Sequence, residues 1–136
     1  MRTISKKNRA LIATDPFYKQ CARHAEGGCQ GRITIDHSII FAGRQLDEMW
    51  SLLPICAYHH AVDRFQDGGD LNKEVHRWIA INRATDDELR AISRAIPYIR
   101  ERARLNSIYG PYRGPCAVPP PPPNITPSLF PLYSFA

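Results

Sequence analysis

The chain contains no apolar run long enough to cross a bilayer, few acidic residues and few cysteines. The missing apolar run leaves no candidate membrane helix. Met1-Arg2-Thr3-Ile4-Ser5-Lys6-Lys7 is not followed by the apolar core of a secretory signal, so a cytosolic protein is expected. The acids number 13 against 18 Lys and Arg, a net charge of +5 with a pI near 9.2, and that balance favours a polyanionic partner such as nucleic acid. No acid precedes Asp15, so residues 1–20, with Arg2, Lys6, Lys7 and Arg9, read as a basic arm or a short helix. Four cysteines in a reducing compartment point to thiolates on a metal rather than to disulfides, and leave the sequon at Asn124 without a role.

With 136 residues and twelve prolines there is room for one small domain and a tail, and a core of that size usually needs a staple. Ile33 and Ile35 alternate with Arg32 and Thr34, predicting a half-buried strand that runs into Asp36-His37. A loop marked by Gly43-Arg44 and Asp47-Glu48 leads to the apolar segment Leu52-Leu53-Pro54-Ile55, where Pro54 implies an edge or a bend. After Cys56 the chain reads helical through Phe65 until Asp67-Gly68-Gly69 stops it. Asp70 is a candidate cap for a helix with the stripe Val75, Trp78, Ile79 and Asn82, and Trp50 and Trp78 are expected in the core. Thr85-Asp86-Asp87-Glu88 is a capping box, and the helix it opens carries Leu89, Ile92, Ile96, Ile99 and Ala103 on one face, with Pro97 placed to kink or split it. Nine of the prolines follow Gly110, so residues 110–136 read as a disordered tail. Its apolar end around Leu129, Phe130 and Tyr133 is a candidate docking point for a protein partner.

The chemistry lies in residues 21–69. Structural zinc takes four ligands in a tetrahedron, delivered in closely spaced pairs of Cys and His. Cys56 and His59, two residues apart, form one pair; Cys21 and Cys29, joined through Gly27-Gly28, form the other. His24 is a rival to Cys29, which is favoured because thiolate binds zinc more strongly and Cys29 immediately precedes the strand. Cys116, in the tail, is assigned no role. Asp36 and His37 at the end of the first strand, with His60 after the second, suit a catalytic cation of mixed oxygen and nitrogen ligands beside a histidine base. Arg44 and Arg64 are candidate phosphate contacts, Asp63 is a further candidate ligand, and His76 reads as a surface or packing histidine.

From Cys21 to about Phe65 the sequence resembles the HNH endonucleases of the ββα-metal class. In that family a Cys pair, an Asp-His or His-His pair, an Asn and a closing Cys-x-x-Cys-His occur in this order. Here the closing motif is Cys56-x-x-His59-His60, with His in place of the last zinc cysteine. The resemblance implies an α+β fold: a small ββα-metal core with structural zinc, followed by two helices over residues 70–109 and the tail. It implies His37 as general base, Asp36 and His60 as ligands of a catalytic Mg2+ or Mn2+, and DNA as substrate. The family's Asn falls on Ser51, which makes Ser51 the candidate brace of the catalytic loop. The resemblance also implies a phage or mobile-element source, hence the cytoplasm of a bacterial host. The rival expectation is a zinc-stapled DNA-binding or assembly module without turnover.

Overall fold

The alternation around Ile33 forms strand β1 (Ile33–His37), and the apolar run after Ser51 forms β4 (Leu52–Cys56). In this computed structural model, which describes residues 4–41, 44–60, 69–92 and 97–114, the two strands pair antiparallel, with Ile33 opposite Cys56 and His37 opposite Leu52. β4 is buried at every position, whereas β1 is only half-buried. Between them the chain makes a second small ladder, β2 (Ile40–Phe41) with β3 (Arg44–Gln45), and a 3-10 turn at Met49–Ser51. Residues 57–60 turn helical directly after β4. The helix expected through Phe65, with Asp63 and Arg64, falls beyond residue 60 outside the described residues.

Pro54 sits within β4 opposite Ile35, a position open to proline because the sheet has only two strands and so no central one. Its carbonyl accepts the Ala22 N–H at 2.7 Å, which docks the segment after Cys21 onto the strand. Two glycines shape the return of that segment to β1. Gly28 has φ +77 with the Tyr58 ring beside it, and Gly31 has φ +80 where a β-carbon would come within 2.7 Å of the Ala57 β-carbon. The positive φ disfavours a side chain at both positions, and at Gly31 space excludes one as well.

The basic N-terminal segment is a docked helix, α1 (Lys6–Thr14), capped by the Ser5 hydroxyl. The Asn8 side-chain amide donates to the Asp47 carbonyl at 2.7 Å, tying α1 to the loop before β4.

Three helices follow the core where the sequence predicted two: α2 (Gly69–Arg83), α3 (Asp86–Ile92) and α4 (Tyr98–Tyr109). The difference is the work of Pro97, which stands at the N-cap of α4 and has no N–H to continue a helix. The capping box of α3 forms as expected, Thr85 and Glu88 exchanging backbone and side-chain bonds at 2.9 and 3.1 Å.

α2 is buried over most of its last three turns: Val75, His76, Trp78, Ile79, Ala80 and Ile81 are all enclosed, with Trp50, Leu53 and Ile55 in the same core. At its C-terminal end the Arg83 guanidinium donates to the Leu52 and Met49 carbonyls at 3.0 and 3.2 Å and stacks on Phe17. The start of the predicted tail belongs to this core. The Trp78 indole N–H donates to the Gly110 carbonyl at 2.9 Å, and Tyr112 meets the Trp78 ring edge-on at 5.3 Å. Residues 115–136, with Cys116 and the apolar end, lie outside the described residues. Among the described residues no helix is long and apolar enough to cross a membrane.

Candidate metal centre and catalytic cleft

Cys21, Cys29, Cys56 and His59 converge, all four ligand atoms lying within 4.8 Å of one another. The His59 Nδ1 is 3.5 Å from Cys21 Sγ, 3.7 Å from Cys29 Sγ and 3.2 Å from Cys56 Sγ. A tetrahedral zinc with bonds of about 2.3 Å to sulfur and 2.0–2.1 Å to nitrogen separates such atoms by roughly 3.6 Å. The cluster therefore has the size of a zinc tetrahedron, and these residues could bind a metal such as zinc. His24 takes no part: it is exposed in the turn His24–Glu26, and Cys29 occupies the fourth corner.

The surroundings favour the ligand forms unevenly. Burial presses the His59 imidazole down to about 3, helped by the positive Arg23, so the ring is neutral and its lone pair free for a metal. Burial raises the Cys21 thiol, and burial with the neighbouring Cys21 and Cys56 pushes Cys29 up to about 12. For Cys56, burial is outweighed by backbone hydrogen bonds from His59 and Gln30, and its thiol is lowered. Three crowded thiols resist ionising together until a cation balances them. The backbone is nevertheless arranged for thiolate, with the Arg23 and Cys56 N–H groups each donating to Cys21 Sγ at 3.4 Å.

His59 and His60 are consecutive on the helical turn and face different partners. The His60 Nδ1 is 3.0 Å from Thr34 Oγ1, whose hydroxyl points to the Ile55 carbonyl across the ladder at 3.5 Å. The His60 Nε2 lies 3.3 Å from Asp36 Oδ1. Neighbouring ligands of an octahedral cation with bonds of 2.0–2.1 Å lie roughly 3.0 Å apart, close to that separation.

The other oxygen of Asp36 is occupied. Oδ2 accepts from the Ser38 hydroxyl at 2.7 Å and lies 3.5 Å from His76 Nδ1. His76, expected at the surface or in packing, is packed, 3 % exposed, and lies against this carboxylate. Its Nε2 faces the Arg23 Nη1 at 3.4 Å, and a guanidinium can only donate. Nε2 is therefore the acceptor, and Nδ1–H is the donor to Asp36. Arg23 is locked in turn by a buried bidentate pair with Glu26 at 2.5 and 2.6 Å. Burial alone would raise Asp36, but the contacts with His60, His76 and Ser38 outweigh it and hold the carboxyl well below the usual range. One signal for His76 is present in the sequence: it lies between Val75 and Trp78 of an apolar stripe, and a buried imidazole needs a partner.

His37 follows Asp36 and lines a cleft of about 210 Å³ with Asp36, His76, Lys73 and Arg77. Its Nε2 is buried with no hydrogen-bond partner among the described residues. Ser51 does not touch this group. It is fully buried, its hydroxyl serving the Leu46 and Glu48 carbonyls at 3.0 and 2.8 Å, while its own carbonyl accepts the Ser38 N–H. That last bond ties the turn before β4 to Ser38, one residue beyond His37. Arg44 lies in β3 by its backbone, and Arg64 lies outside the described residues. Comparison of the chain with protein-family models, with curated proteins and with solved structures gives no match.

Proposed function

We propose that the chain is a metal-dependent endonuclease of the HNH type, built on a ββα-metal core with structural zinc at Cys21, Cys29, Cys56 and His59. The observation that carries this reading is the approach of His60 Nε2 to Asp36 Oδ1 at 3.3 Å, with Asp36 and His37 lining one cleft. Asp36 and His60 would hold Mg2+ or Mn2+, which would supply charge stabilisation for the phosphate and the leaving oxygen. His37 takes the proton of the attacking water as its oxygen bonds to phosphorus and the bond to the leaving sugar oxygen breaks. Asp36 keeps one oxygen for the cation because Ser38 and His76 hold the other. The substrate in this reading is DNA, approached by a chain of net charge +5.

Plasmid nicking with Mg2+, Mn2+ or no divalent cation, run beside His37→Ala, tests the proposal. Cleavage is expected only with added cation, and His37→Ala should lower it by about 10²–10⁴-fold without lowering the melting temperature. Wild-type cleavage by the variant would sink the assignment of the base. The second reading, a zinc-stapled DNA-binding or assembly module, is favoured by Ser51, whose hydroxyl is turned into its own loop where the family carries an amide. It predicts DNA binding with no nicking under either cation.

A further inference from the structure

The helix α2 lies outside the segment that resembles a nuclease core, yet one of its faces closes the cleft. Lys73, His76 and Arg77 stand three and four residues apart, so they share a face, and all three line the cleft with Asp36 and His37. His76 is the buried anchor of that face, in contact with Asp36. The two cations are its outer members. Lys73 is exposed, and the Arg77 side chain is 44 % exposed with, among the described residues, one long ion-pair contact, 3.7 Å, to Glu101. Glu101 is already taken by Arg104, which binds it at 2.7 and 3.1 Å, so most of the Arg77 donors remain for another acceptor.

We propose that Lys73 and Arg77 form a phosphate grip that holds the backbone of a polynucleotide against His37. This rests on the nuclease reading for the use of the site, and on the cleft itself for the ligand. At about 210 Å³ the cleft is smaller than the roughly 300–1,000 Å³ typical of sites for small organic molecules, and its walls carry two cations with a carboxylate and imidazoles. A phosphodiester group fits both the size and the charge. Ile40, 64 % exposed on the same lining, supplies an apolar surface for the attached sugar. The grip reads phosphate and not base edges, so it works alike on any sequence and on DNA or RNA.

The test is fluorescence anisotropy of labelled 20-mer DNA duplex, single-stranded DNA and RNA with the full zinc-loaded chain. Wild type is compared with the double substitution Lys73→Ala and Arg77→Ala, and with Arg90→Ala on α3, across a salt series in buffer free of Mg2+ and Mn2+. The double variant should bind at least about tenfold more weakly on duplex, and its slope of log affinity against log salt should fall by about two counterions, with Arg90→Ala unchanged. The same direction is expected for single strands and RNA. An unchanged slope and affinity in the double variant, at unchanged melting temperature, overturns the grip even if the wild type nicks plasmid. The expected loss of binding in a protein that never nicks plasmid leaves the grip standing and removes the nuclease reading. Absence of any nucleic-acid binding by the wild type overturns the grip outright.

Discussion

Arg23 and His76, 53 residues apart in sequence, meet at 3.4 Å and set the direction in which the imidazole can donate. The guanidinium leaves His76 only its Nδ1–H for Asp36, so a side chain with a donor at the Nδ1 position should replace it. His76→Asn is expected to keep divalent-cation affinity within about threefold, while His76→Gln and His76→Ala weaken it by about 10–100-fold. Titration of Mn2+ followed by electron paramagnetic resonance measures this without any substrate. Nitrogen-15 shifts should report a neutral His76 protonated at Nδ1; the opposite tautomer would remove the argument.

The Cys3His cluster predicts one tightly held zinc per chain. Elemental analysis of the purified protein should give a ratio near one, and Cys29→Ala or Cys56→Ala should lose both metal and melting temperature. A zinc-free wild type of unchanged stability would contradict the assignment.

The His59 ring gives this centre a pH dependence whose sign is fixed. Burial lowers its folded pKa to about 3 from an ordinary 6.5, so between those values the unfolded chain binds one more proton. Stability is fully present above about pH 6.5 and falls, by up to about 1.4 kcal/mol per unit, as the pH drops toward 3. Metal binding has the same sign, since the ligand must be deprotonated. Metal-free wild type and His59→Asn compared by thermal melting from pH 7 to 4 should diverge, the wild type showing the steeper loss.

The Arg23–Glu26 pair has both side chains essentially excluded from water. Glu26→Gln leaves a buried guanidinium without its counter-charge and should cost about 3–5 kcal/mol by urea unfolding. A cost below about 1 kcal/mol would mean that water reaches Arg23.

Truncation separates the packed part of the C-terminal segment from the rest. Ending the chain after Tyr109 removes the Gly110 carbonyl from the Trp78 indole and the Tyr112 ring from its edge contact. A loss of about 1–3 kcal/mol is expected from those two terms. Ending it after Gly114 should leave the melting temperature unchanged, and a large drop there would place further packing beyond that residue.

What could be read from residues alone follows a physical pattern. The convergence of Cys21, Cys29, Cys56 and His59 was legible because metal ligands come in short-range pairs, and Cys56-x-x-His59 has that spacing. The capping box at Thr85 and the break at Pro97 were legible because both are local backbone chemistry. The meeting of His76 with Arg23 and Asp36 was not, because those partners lie on other elements and no periodicity encodes a contact between α2 and the loop after Cys21. The proline count placed the end of the packed chain too early, since Gly110 and Tyr112 bond to Trp78 without any regular secondary structure.

The ladder between β1 and β4 puts Cys56 at one end, opposite Ile33, and His37 at the other, opposite Leu52. Four strand steps, about 13 Å at roughly 3.3 Å each, separate the thiolate from the imidazole. Sliding one strand by a single residue would turn every side chain to the wrong face. Cys56 cannot make that slide without abandoning three partners, so the cluster acts as a pin on strand alignment. Length changes in the connecting residues 38–51 are absorbed outside the ladder, whereas one residue inserted within either strand changes the alignment of His37 with Cys56.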